Sequence, residues 1–477
     1  MVVVIAIVAI IFILIAVVLL RTLMVKPTAA QNANIEFDQS ERAALYGEKL
    51  SKMIQVETIS EPKQKDRSKF LEFHKVLEKE FPNVHKTCEK NVLNGSLLFC
   101  WKGSGEKAPI MFMSHHDVVE AGGEWEHGPF SGDIDETGRV WGRGAVDTKA
   151  SLCCIFGAVE ELIAEGYIPP MDVYIASSCT EEVSGDGGPA IASYLKEKGV
   201  KLDLILDEGG MILQAPIAGV KGIYAMVGVV EKGYGDVKFT ARGNGGHASA
   251  PGKNTPLVRL GKFMCDVEKK NPFEAQFTPV VEEMFRRMAP NMNFGMKLLF
   301  SNMNVFKPLL VTLLPSVSSA AGAMLRTTLA FTMAKGADGA NVLPQEASIV
   351  GNMRFIHHQP VKESIECISK IASKYNIETE VLYSDDPCPI VDYKSEELKL
   401  VEKTINEIYP NIGVCPYVMT GGTDAKYYSK VSENCIRIAP LYIDKQQYGS
   451  IHGLNENIYQ GTLPMGVDFY KTIINNS

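Results

Sequence analysis

The chain has no CxxC pair, no basic block, no internal repeat and no low-complexity tract. Its 10 cysteines follow no regular spacing, and Cys153 and Cys154 are adjacent. Several lie inside apolar runs and read as small hydrophobes, which fits a reducing setting better than a disulfide scaffold. A net charge of −8 without basic clusters argues against nucleic acid as the main partner. What remains is an average composition, 46% hydrophobic and 22% charged, in 477 residues. That length exceeds one ordinary core, so more than one domain is expected.

Charge is also missing from Met1 to Leu20, an almost wholly apolar run followed by Arg21 and Lys26. The run is long enough to span a bilayer. A cleaved signal has a charged n-region and a shorter apolar core, so residues 1–24 read as an uncleaved anchor. Arg21 and Lys26 point the rest of the chain to the cytoplasmic side, although two charges are a small bias. Residues 25–36 read as a tether.

From residue 37 to 230, helix and strand patterns alternate. Ser40 caps a predicted helix through Met53, and Asp66 or Ser68 another through Glu80. Apolar strands follow at Leu97–Trp101, Ile110–Met113, Val173–Ala176 and Leu202–Leu206, with a helix from Lys149 to Glu165. This order predicts an α/β domain with a mainly parallel sheet and helices on both faces. Near Glu231 the pattern changes. Strand (Gly235–Arg242), helix (Thr255–Lys270), strands (Thr327–Ala334, Ala347–Phe355), helix (Val361–Tyr375) and strand (Ile377–Ser384) form a ferredoxin-like α+β order. An inserted domain is therefore placed at 231–386, with the first domain resuming over 387–477. Residues 272–325 are rich in Met, Phe and Leu. Two readings stay open there: a helical elaboration packing on its own domain, or a wall for an acyl chain or second membrane contact.

Chemistry concentrates where apolar runs end. Met111-Phe-Met-Ser-His-His-Asp puts His115 and Asp117 on one side of an extended chain and His116 on the other. A carboxylate holding the far nitrogen of a metal-bound histidine is a common arrangement. Trp141-Gly-Arg-Gly-Ala-Val-Asp aims Asp147 at a helix start, where an aspartate could equally serve as a cap. Glu181 and Glu182 stand side by side in a glycine-bounded turn, where one can bind metal while the other handles a proton. Asp207 ends another strand, beside Glu208, and His452 sits in a glycine-flanked loop. Nitrogen and oxygen donors without thiolate suit zinc, with manganese or cobalt possible.

In this order the motifs SHHDVV, WGRGAVDTK, TEEVSGDGG, LDEGG, GGHAS, LRTT with ANVLP, GGTDA and SIHGLNE resemble a metallopeptidase family. It includes acetylornithine deacetylase, glutamate carboxypeptidase, aminoacylase and carboxypeptidase S, and the resemblance is nearest to carboxypeptidase S and the secreted N-fatty-acyl-amino-acid synthase/hydrolase. It implies a di-zinc exopeptidase fold with an inserted lid, and two Zn2+ held by His115, Asp147, Glu182, Asp207 and His452. Asp147 would bridge the ions and precede a cis peptide, and some relatives use the position of Glu208 in place of Asp207. Asp117 would orient His115, and Glu181 would be the general base. His247 would reach the scissile carbonyl, in relatives often that of a dimer partner. Arg326, Asn341, Gly421, Gly422 and Lys426 lie where relatives contact the substrate carboxylate or the oxyanion. Lys426 departs from the family's arginine and lacks its bidentate fork.

The activity so implied is hydrolysis of the amide bond of an N-acyl amino acid or short peptide with a free carboxylate. A dipeptidase or polar-substrate deacylase is the rival within the class, and a catalytically silent membrane-anchored binding protein the rival outside it. A homodimer through the inserted domain is a further implication.

Overall fold

A computed structural model describes all 477 residues. The large sheet has ten strands. At its centre Ile110–Met113 lies between Val173–Ser177 and Leu204–Asp207, parallel to both, and Cys435–Arg437 continues parallel beside the latter. Every residue of the first three strands is buried, as expected of parallel strands covered on both faces.

The flanks run otherwise. Glu89–Leu93 pairs antiparallel with Ser96–Trp101, and that strand pairs antiparallel with Val173–Ser177. On the other side Ile212–Gln214 is antiparallel to Ile223–Glu231, along which Gly413–Met419 runs parallel. The sheet is therefore mixed rather than mainly parallel. The reason is local at one edge, where Asn94 (φ 51°) and Gly95 (φ 89°) form a two-residue left-handed turn that joins antiparallel neighbours.

The helix Lys149–Ala164 is buried along most of its length, packed against the C-terminal helix Leu463–Asn476. Tyr46 lies against Gly157, where an added Cβ would stand 2.6 Å from its ring. All 10 cysteines are free thiols and most are buried.

The chain leaves the large sheet at Glu231 and begins a second one at Gly233. That sheet is antiparallel, in the order Thr328–Lys335, Glu346–Phe355, Gly233–Arg242, Glu378–Asp385. Helices Pro256–Lys270 and Val361–Lys374 cover it, and Phe239, Phe263, Met353 and Ile368 lie in its own apolar core.

Apart from Phe273 at its start, the apolar stretch 272–325 does not pack on that core. Its helices Pro279–Met288, Phe294–Ser301, Met303–Val317 and Ser319–Leu325 send Met284, Phe285, Phe300, Leu310 and Leu325 into the core of the large domain. This corrects the expectation of an elaboration on its own domain. Met284 and Phe285 follow from an amphipathic helix that lies along the strand Gly413–Met419. The first helix, Val2–Met24, is apolar as far as Leu20 and exposed apart from Val18 and Thr22.

Candidate metal centre

Three adjacent parallel strands end at one edge of the large sheet, and their exits carry the acids and the first histidine. Ile110–Met113 leads to His115 and Asp117, Val173–Ser177 to Glu181 and Glu182, and Leu204–Asp207 to Glu208. Strand ends of α/β sheets are where such sites form, because side chains from neighbouring strands meet there outside the core. Asp147 arrives from the turn before the helix at Lys149, across an Asp147–Thr148 peptide that is cis. His452 arrives from the loop after the short helix Lys445–Ser450.

Asp147 sits between the two histidines. Its Oδ1 is 3.0 Å from His115 Nε2 and its Oδ2 is 3.2 Å from His452 Nε2. Glu182 Oε2 lies 3.1 Å from His452 Nε2. On the other side Glu208 Oε1 stands 3.4 Å and Glu181 Oε2 4.0 Å from His115 Nε2. The donors thus form two groups that share one carboxylate.

Backbone and buried side chains fix His115 and both glutamates. His115 Nδ1 is 2.9 Å from the main-chain carbonyl of Asp117, which leaves Nε2 facing the cluster. The Asp117 carboxylate accepts from the amides of Glu181 and Glu182, 3.1 Å each, and from Ser60 Oγ at 2.7 Å. One side chain therefore braces the strand end bearing His115 and the turn bearing both glutamates. His116 points away as the strand alternation requires, stacked on Phe73 with Nδ1 against Ser177 Oγ.

Asp207 is occupied elsewhere. Its Oδ1 accepts from the Glu208 amide at 2.9 Å and its Oδ2 from the Ala425 amide at 2.9 Å. Glu208, the next residue, takes the place beside His115. The alternation of an extended strand cannot distinguish the last residue of the strand from the first beyond it, which is why the pattern alone left the choice open.

Glu456 has a part that its motif did not reveal. Its buried carboxylate accepts from Arg143 Nη1 (2.9 Å) and from the amides of Gly144, Val146 and Asp147 at 2.8–3.1 Å. It holds the turn that presents Asp147. Four donors on one carboxylate mark a positioning group rather than a ligand.

The electrostatics of the cluster describe a site short of positive charge. Burial pushes Glu181 well above the usual carboxylate range; His115 opposes this, while Glu208 and Asp424 add to it. Burial raises Glu182, with Asp147 adding repulsion against the hydrogen bond from His452. Glu208 is pushed up to about 8, again by burial first. Asp147 goes the other way: burial raises it, but hydrogen bonds from His115 and His452 hold it below the usual range. His452 is raised to about 10 by its hydrogen bonds to Asp147 and Glu182. Burial disfavours protonated His115, yet Glu208, Asp117 and Asp147 keep its pKa well above the ordinary value. Glu182 Oε1 is buried with no hydrogen-bond partner. Imidazole and carboxylate donors, one orphaned oxygen and three carboxylates strained toward neutrality fit divalent cations.

A cleft of about 860 Å³ opens on these residues, lined by Asp147, Glu181, Glu182, Glu208 and His452. Gly421, Gly422 and Lys426 line it too. So do three groups from outside the motifs' assigned roles, Lys232, Tyr234 and Arg354. The Arg354 guanidinium stacks over Tyr234, 4.7 Å from the ring centre. Burial, then Arg354 and Arg326, lower Lys232 to about 7, and its Nζ donates to the carbonyls of Ala323 and Arg326.

His247, Asn341 and Arg326 are not in the cleft lining. His247 is exposed on a two-strand ribbon, pairing with Val342, and its Nδ1 accepts from the Ser249 amide at 3.1 Å. Asn341 is on the same ribbon, its carbonyl accepting from Ala248 at 3.0 Å. Arg326 is partly buried at the end of Ser319–Leu325. No residue of 272–325 lines the cleft either, so that stretch is not its acyl wall.

Residues 111–476 match the profile of Peptidase family M20/M25/M40. The chain is 32% identical over 479 residues to the N-fatty-acyl-amino acid synthase/hydrolase of Xenopus tropicalis, covering 98% of this chain and 93% of that protein. It is 29% identical over 487 residues to carboxypeptidase S of Saccharomyces cerevisiae, covering 90% and 83%. An M20 family metallo-carboxypeptidase from Sulfolobus solfataricus shares the fold with a TM-score of 0.66 at 17% identity, over 90% of this chain and 98% of that one. A dinuclear metal-binding peptidase of the M20 family from Bacillus subtilis does so with a TM-score of 0.55 at 12% identity, over 90% and 98%.

Proposed function

The chain belongs to Peptidase family M20/M25/M40 and is a hydrolase, and from that premise we propose that it cleaves the amide bond of N-acyl amino acids or short peptides bearing a free carboxylate, using two divalent ions. The observation that carries the proposal is Asp147, whose two oxygens each face a different histidine. One group would comprise His115, Asp147 and Glu208, the other His452, Asp147 and Glu182. Asp207 is replaced in this set by Glu208, because both its oxygens already accept backbone amides. Zinc suits the donors, with manganese or cobalt as alternatives.

Bound here, two divalent ions would raise the acidity of a water and polarise the substrate carbonyl. Glu181 takes the proton of the attacking water as the new C–O bond forms. It then passes that proton to the amine as the C–N bond breaks. Its burial and its crowded acidic surroundings give it the proton affinity for this, and Asp117 holds its backbone in place. Glu456 keeps Asp147 aimed between the histidines. Of the lysines and arginine that line the cleft, Arg354 and Lys426 would receive the substrate carboxylate, with Gly421 and Gly422 leaving room for it. The hydrophobic acyl or side chain would lie along Tyr234, Met211, Met419 and Ile451, which line the same cleft.

We further propose that residues 231–386 act as a ferredoxin-like lid and that His247 contributes to the oxyanion. Its place outside the cleft requires lid closure or a second copy of the chain. Val2–Met24 is proposed as a membrane anchor, its exposed apolar surface being of spanning length. Release of free amino acid from a panel of acyl-amino acids and dipeptides, with and without chelator, tests the reading. Chelator-sensitive release from long-chain acyl-amino acids is expected. Turnover indifferent to chelator would overturn the metal mechanism, and release from dipeptides alone would move the substrate class.

A further inference from the structure

The helix Met303–Val317 exposes a face that water does not suit. Val305, Leu309, Leu313 and Val317, four residues apart, are 40–67% exposed. Pro308, Thr312 and Ser316 fill the gaps between them, so the exposed face carries no charge. The helix's one charged residue, Lys307, pairs with Glu282. Its opposite side is anchored by Leu310 and Leu314 in the main core, so the helix is held rigidly in this orientation. Helix Glu396–Ile408, of similar length, exposes Glu396, Lys399, Lys403, Asn406 and Glu407 instead. Surface helices normally solvate that way, and an uncharged apolar face of this size marks an interaction site.

The N-terminal helix indicates what covers it. Asn302, fully buried immediately before Met303, donates to Thr22 Oγ1 at 3.0 Å and to the Val18 carbonyl at 3.3 Å. Val18 and Thr22 are the only buried residues of Val2–Met24, so that helix is docked by its last turns onto Phe294–Ser301 and onto Asn302, the residue that joins Phe294–Ser301 to this helix. At 1.5 Å per residue the stretch from Val2 to Thr22 covers about 30 Å, the thickness of a bilayer's hydrocarbon. The docking point therefore falls at the hydrocarbon boundary, and the exposed face begins beside it.

From this continuity we infer that the helix Met303–Val317 lies in the interfacial layer of the same membrane that holds Val2–Met24, forming a second, monotopic contact. The contact fixes the folded part against the bilayer at two places rather than letting it swing on the tether. It rests on the anchor reading of Val2–Met24 proposed above. The partner is the lipid surface, in the manner of an amphipathic helix buried to the headgroup–acyl boundary.

Single tryptophans placed in the full-length chain in lipid vesicles test this, with the native Trp101, Trp125 and Trp141 emission subtracted. Leu309→Trp and Leu313→Trp report the face, Phe12→Trp the anchor, and Leu71→Trp, on the helix Ser68–Glu80, the free surface. Lipids brominated on their acyl chains should quench the first three at least twofold more than Leu71→Trp. Quenching of Phe12→Trp with Leu309→Trp and Leu313→Trp behaving as Leu71→Trp overturns the inference and leaves the anchor standing. No quenching of Phe12→Trp removes the anchor and the inference with it. Blue-shifted but unquenched emission at 309 and 313 would assign the face to a second copy and equally overturn it.

Discussion

The acid cluster and the ribbon carrying His247 differ in how firmly they are held. In the cluster the turns are braced from behind: Asp117 ties His115 to the glutamate turn, and Glu456 ties down the turn of Asp147. His247 stands on two strand residues at the exposed edge of the second domain, outside the cleft it is expected to serve. The difference teaches that one half of the site is built by folding alone. In the proposed reading the other half, His247, waits on a movement or on a partner. A rigid cluster can hold ions before substrate arrives, whereas a distant donor adds its hydrogen bond only when the cleft is closed.

The comparison can be broken first at its rigid end. Asp147→Ala should abolish turnover and release bound metal, measured by elemental analysis of purified protein. Retention of two ions per chain would show that the bridge is not needed. The assignment of the third acid is sharpened by a pair of variants: Glu208→Ala should lose one ion, while Asp207→Ala should keep both and lower the melting temperature. The reverse pattern would restore Asp207 as the ligand. At the exposed end, His247→Ala should lower kcat by about 10²–10³ with metal content unchanged, the usual loss for one oxyanion donor. If His247 acts across a dimer, co-assembling His247→Ala with Glu181→Gln should recover activity that neither has alone; no recovery would place it in the same chain as its cleft. The smallest effect concerns Lys426. Lys426→Arg should lower KM for the carboxylate-bearing substrate by a factor of about 5–10, the gain of one bidentate ion pair near a surface. An unchanged KM would leave Arg354 as the sole carboxylate receptor.

How far the sequence carried this reading depended on whether a signal was local. His115, Asp147, Glu181, Glu182 and His452 each follow an apolar run or a glycine turn, and the structure brings them together. Alternation also placed His116 on the opposite side, against Phe73. Glu208 against Asp207 lay beyond that logic, because the choice depends on which carboxylate the Ala425 amide claims from more than 200 residues away. Glu456 was visible only as part of a motif; its task needs four donors from a distant turn. Arg354 is an ordinary strand residue by pattern, and only the meeting of two sheets makes it a wall of the cleft. One antiparallel edge of the mixed sheet was signalled locally by Asn94-Gly95, but its other antiparallel pairing and the packing of 272–325 on the larger core were missed for the same reason as Arg354. Both are settled by long-range contacts that hydrophobic periodicity does not encode.

The central claim is that a buried, metal-holding cluster presents Glu181 as the group that moves the proton. Glu181→Gln keeps the shape and removes the base, so turnover and metal content measured on the same preparation separate the two roles. The account predicts two ions per chain, as in the unaltered protein, with turnover down by about 10²–10⁴. Near-normal turnover, or loss of the metal along with the activity, would contradict it.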